Sequence, residues 1–390
     1  MRRPAPVILT LLALSSAAHA APASRTFAAG AYGYSLQAAL QAIGDGQATL
    51  TVDGPLTCDA PAIPTHVEVV VARGGLLALG DKPLVVDGTL VAGRYPIFPP
   101  TGAVTGLKDP CPEWFGAGGR GLTDDTAAIQ RAVDSVGGRP GSRLILSGKY
   151  AITSVELRQF GATIHAENAW LLPRPGAKAD YLLRFAPSAH SATITGNLFV
   201  DMNYNLDYGC AINVNARHFT AHNVFFWRAK LAWLIGDPKW ATSGVKGDAE
   251  RGDSEIEIFG SATCHCLRAV EAVGANTIVK FTGCLLYSFP WVLPKDDTRK
   301  AAWEAEDMTT IRAIGGLIYI DSGAVANFCN KPLIDVQPIA TTHPEYFADY
   351  GKGRRIGVGE ALEILDRAVD SGLVLMPTGC RDIILSLIHI

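Results

Sequence analysis

Charge is scarce in this chain, and neither sign dominates. Charged residues make up 18% of the 390, the formal net charge is −3, and no cluster of lysine or arginine stands out. Nucleic acids and anionic membranes bind through dense positive charge, so neither is expected as a partner. Intrinsic disorder is excluded as well, because 48% of the residues are apolar, which is enough for a long core.

No apolar run is long enough to cross a membrane, which takes roughly 20 residues. Near the start, Arg2 and Arg3 precede a short apolar stretch at residues 7–14, and small residues follow at 18–20. This order is typical of a secretory signal peptide with its cleavage point. The sequence therefore predicts a signal peptide at residues 1–20 and a mature protein that is secreted or periplasmic.

Cysteine is spread too thinly for a small disulfide scaffold, with eight residues along the whole chain. Cys264, His265 and Cys266 are residue types that bind metals. On a strand, however, the two sulfur atoms point one way and the imidazole points the other. We therefore interpret the cysteines as buried core residues and predict no metal site from them.

Turn-forming residues are plentiful, with 40 glycines and 23 prolines, which suits many short strands. Two amphipathic patterns nevertheless predict helices, over residues 35–43 and 124–136, and each is followed by an apolar strand. Ser35 is the predicted N-cap of the first helix.

One motif returns through the second half of the chain: a Gly or Asn followed by an apolar run. It starts at Asn197, Asn223, Gly260, Gly283 and Gly316, at intervals of 23 to 37 residues. Repeat arrays have periods of roughly 20–50 residues, and Gly and Asn accept the left-handed backbone that a corner between strands can require. The pattern favours a solenoid over a β-sandwich.

Residues 112–117 (PEWFGA), 121–130 (GLTDDTAAIQ) and 144–152 (LILSGKYAI) carry a resemblance to a known family. They resemble the opening signature of the pectate-lyase superfamily, which includes polygalacturonase-like and rhamnogalacturonase-like enzymes and phage tailspikes. The resemblance implies an all-β, right-handed parallel β-helix, a solenoid with short capping helices. We accordingly divide the mature chain into an N-terminal β-rich segment with early coils (21–105), the main pectate-lyase-like β-helix (106–340) and a C-terminal segment (341–390).

The sequence departs from that family at a structural turn, where Gly119-Arg120-Gly121 replaces Gly-Asp-Gly. It lacks the polygalacturonase pattern of paired aspartates followed by Gly-His and Arg-x-Lys, and the calcium-binding aspartates of pectate lyases have no clear counterpart. The resemblance thus implies a fold and a substrate class without naming a catalytic residue. It leaves calcium as a candidate cofactor, for which the oxygen-rich residues 201–207 suit either a calcium site or an ordinary Asx turn.

Alternating acids supply the candidate catalytic site. Asp253, Glu255 and Glu257 share one parity, so on a strand they line the outer face with neighbours about 6.5–7 Å apart, within the roughly 5–9.5 Å used in glycoside hydrolysis. Glu257 and Lys280 each lie three residues before a corner glycine, so stacked coils place them about 4.8 Å apart. We predict these four residues as catalytic; the alternative is a solvated outer face with a weak ion pair.

Aromatic residues and one histidine supply the candidate substrate-binding site. Trp227, Trp233 and Trp240 lie in an aromatic-rich region, and His222 lies just before it. An exposed indole offers a flat amphipathic surface that suits a sugar ring, and a histidine can act as a general acid or base. The alternatives are core packing for the tryptophans and hydrogen bonds to neighbouring loops for His222.

Export, the family resemblance and the acidic row together predict a polysaccharide lyase or glycoside hydrolase that acts on a pectin-like acidic polysaccharide. The alternative, favoured by the missing catalytic patterns, is a non-catalytic glycan-binding or tailspike-like adhesive β-helix, and a structural surface protein is a third reading. If the acidic row is catalytic, Glu255 and Glu257 should face a groove bordered by Trp227, Trp233 or Trp240.

The C-terminal segment is expected to be truncated. The solenoid pattern fades after about residue 335, and residues 385–390 resemble the translated end of a sequencing adaptor. An apolar end would leave the last coil uncovered, so we expect further coils and a polar cap in the parent gene.

Overall fold

The computed structural model describes residues 25–137, 141–237, 254–274, 277–288, 293–306, 309–314, 317–327 and 334–337. Within these ranges the strands pair in parallel, and the chain visits its sheets in a repeating order, as in a parallel β-helix. The predicted all-β class with parallel strands is confirmed; the right-handed sense remains a prediction. The signal peptide and the C-terminal segment 341–390 lie outside the described residues.

Three small sheets form the N-terminal coils, and the chain passes from one to the next in turn. The first contains β1 (Arg25–Ala28), β2 (Ala48–Val52), β5 (Val67–Val71) and β8 (Thr89–Ala92). The second contains β3 (Pro55–Cys58) and β6 (Leu76–Leu79). The third contains β4 (Ala62–Ile63), β7 (Leu84–Val86) and β9 (Val104–Thr105).

The main coils have three faces. Face 1 consists of β11 (Leu144–Leu146), β18 (Phe219–His222), β21 (Ser254–Phe259) and the first halves of the long strands β14 (Thr163–Pro173), β16 (Thr193–Asp201), β24 (Thr277–Ser288) and β26 (Leu317–Asn327). Face 2 consists of β10 (Arg120–Asp124), β12 (Lys149–Ile152), β19 (Val224–Trp227), β22 (Ala262–Cys266) and the second halves of the same long strands. Face 3 consists of β13 (Val155–Leu157), β15 (Ala179–Phe185), β17 (Tyr208–Val214), β20 (Leu231–Ile235), β23 (Arg268–Val273), β25 (Ile311–Ile314) and β27 (Ile334–Gln337).

Helices α1 (Leu36–Ile43), α2 (Thr126–Ser135) and α3 (Lys300–Ala305) accompany the strands. The predicted cap of α1 is confirmed, because the Ser35 hydroxyl accepts a hydrogen bond from the Ala38 amide at 3.1 Å. In α2, Gln130 makes two hydrogen bonds to the backbone of Glu156, so this helix takes the place of a strand before β13. None of the three helices in the described part of the chain has the length and apolar character needed to cross a membrane.

The corner between faces 1 and 2 is built as the sequence predicts. Asn223, Gly260 and Gly283 have φ angles of 54°, 59° and 64°, the left-handed backbone that Gly and Asn tolerate best. In β16 the left-handed residue is Gly196 rather than Asn197. Gly316 lies outside the described residues. In β26, Leu317 pairs with Ile278 on face 1 and Gly323 pairs with Cys284 just after the corner.

Inward side chains of the successive coils form one apolar cluster that runs from Ala29 to Val325. The prediction of buried cysteines is confirmed for Cys111, Cys210, Cys266 and Cys284, whereas Cys58 and Cys264 are only half-buried and Cys329 and Cys380 lie outside the described residues. Burial raises the pKa of Cys266 to about 12. The expected common direction of Cys264 and Cys266 is wrong. His265 has a φ of 57°, which breaks the strand alternation, so Cys266 is fully buried while Cys264 lies half-buried beside Trp227.

The corner geometry predicts unequal effects of two alanine substitutions. At Gly196 an added Cβ would lie 2.1 Å from the carbonyl oxygen of Ala166, whereas at Gly283 it would meet nothing within 4 Å. Both positions have positive φ, so Gly283→Ala should cost about 1–2 kcal/mol and Gly196→Ala about 3 kcal/mol or more. Urea unfolding followed by circular dichroism measures both, and equal losses would contradict the backbone clash.

Candidate functional site

The predicted acidic row lies on the outside of face 1. Glu255 and Glu257 are exposed on β21, and Glu257 pairs in register with Lys280, so these two residues are on adjacent strands as expected. The Glu255 side chain is 76% exposed and its carboxylate lies 3.7 Å from Nδ1 of His218. Both glutamates are thus on the solvent-exposed outer side of this face. Asp253 lies outside the described residues.

Trp233 was predicted to bind substrate, and the structure contradicts this. Its side chain is fully buried and packs edge-on against Phe226, with ring centroids 5.0 Å apart. Its position in the apolar run of β20 turns it inward, where no ligand can reach it. Trp240 lies outside the described residues.

Trp227 lies half-buried on the outside of face 2, in an aromatic stack that crosses several coils. Its ring is 5.6 Å from Trp170, which in turn stacks on Phe199 at 4.8 Å, and Phe199 stacks on Phe225 at 5.3 Å. Because these rings largely cover one another's flat faces, the stack offers mainly ring edges to a ligand. A sugar ring prefers an open aromatic face.

His222 is exposed on face 1, where its ring stacks almost flat on Phe259 at 4.9 Å. The acidic row and His222 are thus on one face, Trp227 is on the next, and Trp233 is inside. The predicted residues that fall within the described ranges are therefore not gathered around one groove, and their roles in catalysis or binding remain predictions.

A cleft that the sequence did not predict lies on the outside of face 3. It has a volume of about 580 Å³, within the roughly 300–1,000 Å³ of ligand sites. Leu231 and Leu234, both nearly buried, supply its apolar floor. Its charged lining comes from several coils and consists of Asp180, Arg184, Lys230, Asp237, Arg268, Glu271, Glu306 and Arg312.

Parallel pairing aligns the central column of this cleft. Arg184 pairs with Asn213, Asn213 with Leu234, Leu234 with Glu271, and Glu271 with Arg312. Each step is about 4.8 Å, the spacing of neighbouring strands. A ligand lying along the solenoid axis would therefore meet one side chain of this column per coil.

Glu271 is held at one end of the cleft by two guanidinium groups. Its Oε2 atom lies 2.7 Å from Arg268 and 3.6 Å from Arg312, and all three side chains are less than a fifth exposed. Charge-assisted hydrogen bonds between partly buried groups are stronger than those in water. This triad is therefore a rigid feature of the cleft.

A segment after face 2 contributes Glu306 to one wall of the cleft. On α3, Trp303 is buried against Tyr204 at 5.0 Å with its ring edge-on, and Leu267 and Leu293 complete this small cluster. The packed helix positions Glu306, whose carboxylate lies 2.9 Å from the Lys230 ammonium. The wall is thus fixed by apolar packing and closed by an ion pair.

At the other end, Arg184 lies between two carboxylates. Its guanidinium is 3.7 Å from Glu156 and 3.9 Å from Asp237, and it lies 5.5 Å from the Tyr181 ring. Asp237 is oriented further by Asn215, whose amide lies 3.4 Å away. This end presents a carboxylate and a guanidinium in fixed positions beside the apolar floor.

The sequence held one signal for this cleft. Arg312 is the single charged residue of its strand, and Arg184 and Glu271 are each flanked by apolar residues in strands that carry one other charge. A charge flanked by apolar residues in a strand is unusual unless it faces outward to a partner. The acidic row drew attention instead because its alternation is visible within one strand.

The residues present at 201–207 do not fit calcium. Both carboxylate oxygens of Asp201 bind Arg228, and Asp207 lies 3.2 Å from Lys178. The amides of Asn203 and Asp207 bond to side chains two residues earlier, which is the geometry of Asx turns. The described residues contain no cluster of His, Cys, Asp and Glu suited to a metal ion.

No protein-family model and no curated protein sequence matches this chain. This chain is similar to a crystal structure provisionally described as a glycosyl hydrolase from Parabacteroides merdae ATCC 43184. The sequence identity is 17% and the TM-score is 0.38, and the match covers 59% of this chain and 96% of the Parabacteroides chain. A likeness of this degree identifies neither a family nor a reaction. Membership of the pectate-lyase superfamily therefore remains a prediction.

Two tryptophan substitutions test the placement of these rings. Trp233→Ala removes a fully buried side chain and should lower the free energy of unfolding by about 3–5 kcal/mol. Trp227→Ala loses ring contacts at the surface and should cost about 0.5–1.5 kcal/mol. Urea unfolding measures both values, and a Trp233→Ala protein as stable as Trp227→Ala would contradict the buried position.

Proposed function

We propose that this protein is a carbohydrate-active β-helix whose cleft on face 3 binds a polysaccharide and cleaves it as a lyase or glycoside hydrolase. The observation that carries the proposal is the cleft itself, in which carboxylates and cations from successive coils border an apolar floor. Apolar floors with a few fixed polar groups are typical of ligand sites. The family resemblance supplies the substrate class, a pectin-like acidic polysaccharide, and the signal peptide pattern supplies export.

Asp237 is the carboxylate that we assign to proton transfer. Its side chain is about one-fifth exposed, it borders the cleft, and Asn215 and Arg184 orient it. Glu271 serves a different role, because two arginines hold it as a charged anchor. General acid–base catalysis needs a positioned group that can reach the substrate, and Asp237 meets that requirement better.

A non-catalytic glycan-binding protein is the second candidate, and one observation favours it. Glu271 and Glu306 each already form an ion pair at 2.9 Å or less, so both carboxylates are engaged in structural contacts. In this case the cleft would retain a polysaccharide without breaking it.

Incubation of the full chain with pectin, polygalacturonate, rhamnogalacturonan and neutral galactan separates these functions. Rising ultraviolet absorbance from unsaturated ends indicates a lyase, new reducing ends alone indicate a hydrolase, and retention without cleavage indicates a binder. For an enzyme, Asp237→Asn should lower kcat by roughly 100-fold or more, because it removes the group that transfers the proton.

The matched control is the double variant Glu255→Gln, Glu257→Gln on face 1, which should keep the activity of the unchanged protein. If the double variant is inactive while Asp237→Asn is fully active, the site belongs to the acidic row and the proposed cleft is wrong. If no polymer is cleaved or retained, the proposed function itself fails.

A further inference from the structure

The lining of the face-3 cleft carries as many acidic as basic side chains. Among the described residues these are four acids and four bases, so the formal charge of the lining is zero: Asp180, Asp237, Glu271 and Glu306 against Arg184, Lys230, Arg268 and Arg312. A surface that binds a polyanion presents an excess of positive charge, because complementary potential attracts the ligand. This cleft has no such excess.

Most of its cations already have an anionic partner. Arg268 and Arg312 share Glu271, and Lys230 binds Glu306. An anionic sugar would have to compete with these carboxylates and would approach them closely. Like charges in a partly buried site repel strongly, because the local dielectric constant is lower than that of water.

Arg184 has hydrogen-bonding capacity left over. Its two carboxylate neighbours, at 3.7 and 3.9 Å, neutralise its charge but lie beyond hydrogen-bonding distance. Its Nε atom also has no hydrogen-bond partner among the described residues, but that atom is buried and a ligand cannot reach it. The terminal NH2 groups of this 25%-exposed side chain are therefore the donors that the cleft offers to neutral acceptors.

Asn213, on the next coil, offers the complementary acceptor. Asn213 is only 5% exposed. Its side-chain amide donates two hydrogen bonds, one to the carbonyl oxygen of Leu234 at 3.1 Å and one to that of Gly236 at 2.9 Å. These two bonds fix the orientation of the amide and leave its Oδ1 atom to accept. Asn213 pairs with Arg184 in register, so donor and acceptor are about one strand spacing apart.

We propose that the cleft binds a neutral, hydroxyl-rich stretch of glycan rather than a chain of uronic acids. A sugar hydroxyl both accepts and donates hydrogen bonds, so adjacent hydroxyl groups can accept from Arg184 and donate to Asn213 Oδ1 without disturbing the ion pairs. This rests on the proposed function, in that the cleft must be the glycan site. It replaces the acidic substrate class with a neutral one and leaves hydrolysis as the reaction, because β-elimination needs the carboxylate of a uronic acid.

Calorimetric titration of the full chain tests this with galacto-, arabino- and xylo-oligosaccharides as neutral probes and oligogalacturonates as acidic ones. Each is measured at about 0.1 M and about 1 M NaCl, between which the Debye length falls from about 10 Å to about 3 Å. We expect a neutral probe to bind with a Kd that changes less than about twofold with salt. Arg184→Lys keeps the charge but loses the fork of donors, so it should weaken that binding by roughly tenfold.

The matched control is Arg143→Lys, because Arg143 pairs with Asp109 outside the cleft, and it should bind as the unchanged protein does. Binding restricted to oligogalacturonates, weakened more than about tenfold by salt and weakened also by Arg184→Lys, would overturn the neutral ligand but leave the cleft as the glycan site. If Arg184→Lys keeps its circular dichroism spectrum and binds the neutral probe as tightly as the unchanged protein, the cleft is not the glycan-binding site. Absence of binding by every probe would overturn both proposals.

Discussion

Parallel register between successive coils is the constraint on which the rest of this structure depends. Each strand hydrogen-bonds to its counterpart in the next coil, so a residue lies about 4.8 Å from its equivalent. The register runs unbroken from Glu156 through Arg184 and Asn213 to Glu271 and Arg312. A shift by one residue would turn these outer side chains into the core and destroy the cleft.

The same constraint explains how much could be predicted from the sequence. Local sequence patterns predicted α1 and its Ser35 N-cap correctly. They also predicted the corner between faces 1 and 2, where Asn223, Gly260 and Gly283 have left-handed backbone. At the first corner, Gly196 rather than Asn197 has the left-handed backbone, because neighbouring Gly and Asn residues can both adopt it. The substrate-binding prediction for Trp233 was wrong because every residue of β20 is apolar, so the strand shows no alternation that indicates which side chains point into the core.

The cleft could not be predicted because its members are distant in sequence. Alternation within a strand indicates which residues point outward, but the loops between faces differ in length, so the sequence does not reveal which outward residues become neighbours. Arg184 and Glu271 meet one ligand surface only after the coils are stacked. The acidic row, in contrast, is local, and its Glu257–Lys280 pairing followed from the corner positions alone.

The segment that contains α3 borders the cleft but does not belong to the stacked strands. Trp303 docks on Tyr204 and Leu267 outside the main core, and Glu306 extends from this packed unit toward Lys230. The segment is an insertion between two strands, and replacing it would leave every rung of the three faces in place. Substitutions in this segment can therefore change the border of the cleft, and with it which glycan chains fit, while the paired strands keep their register.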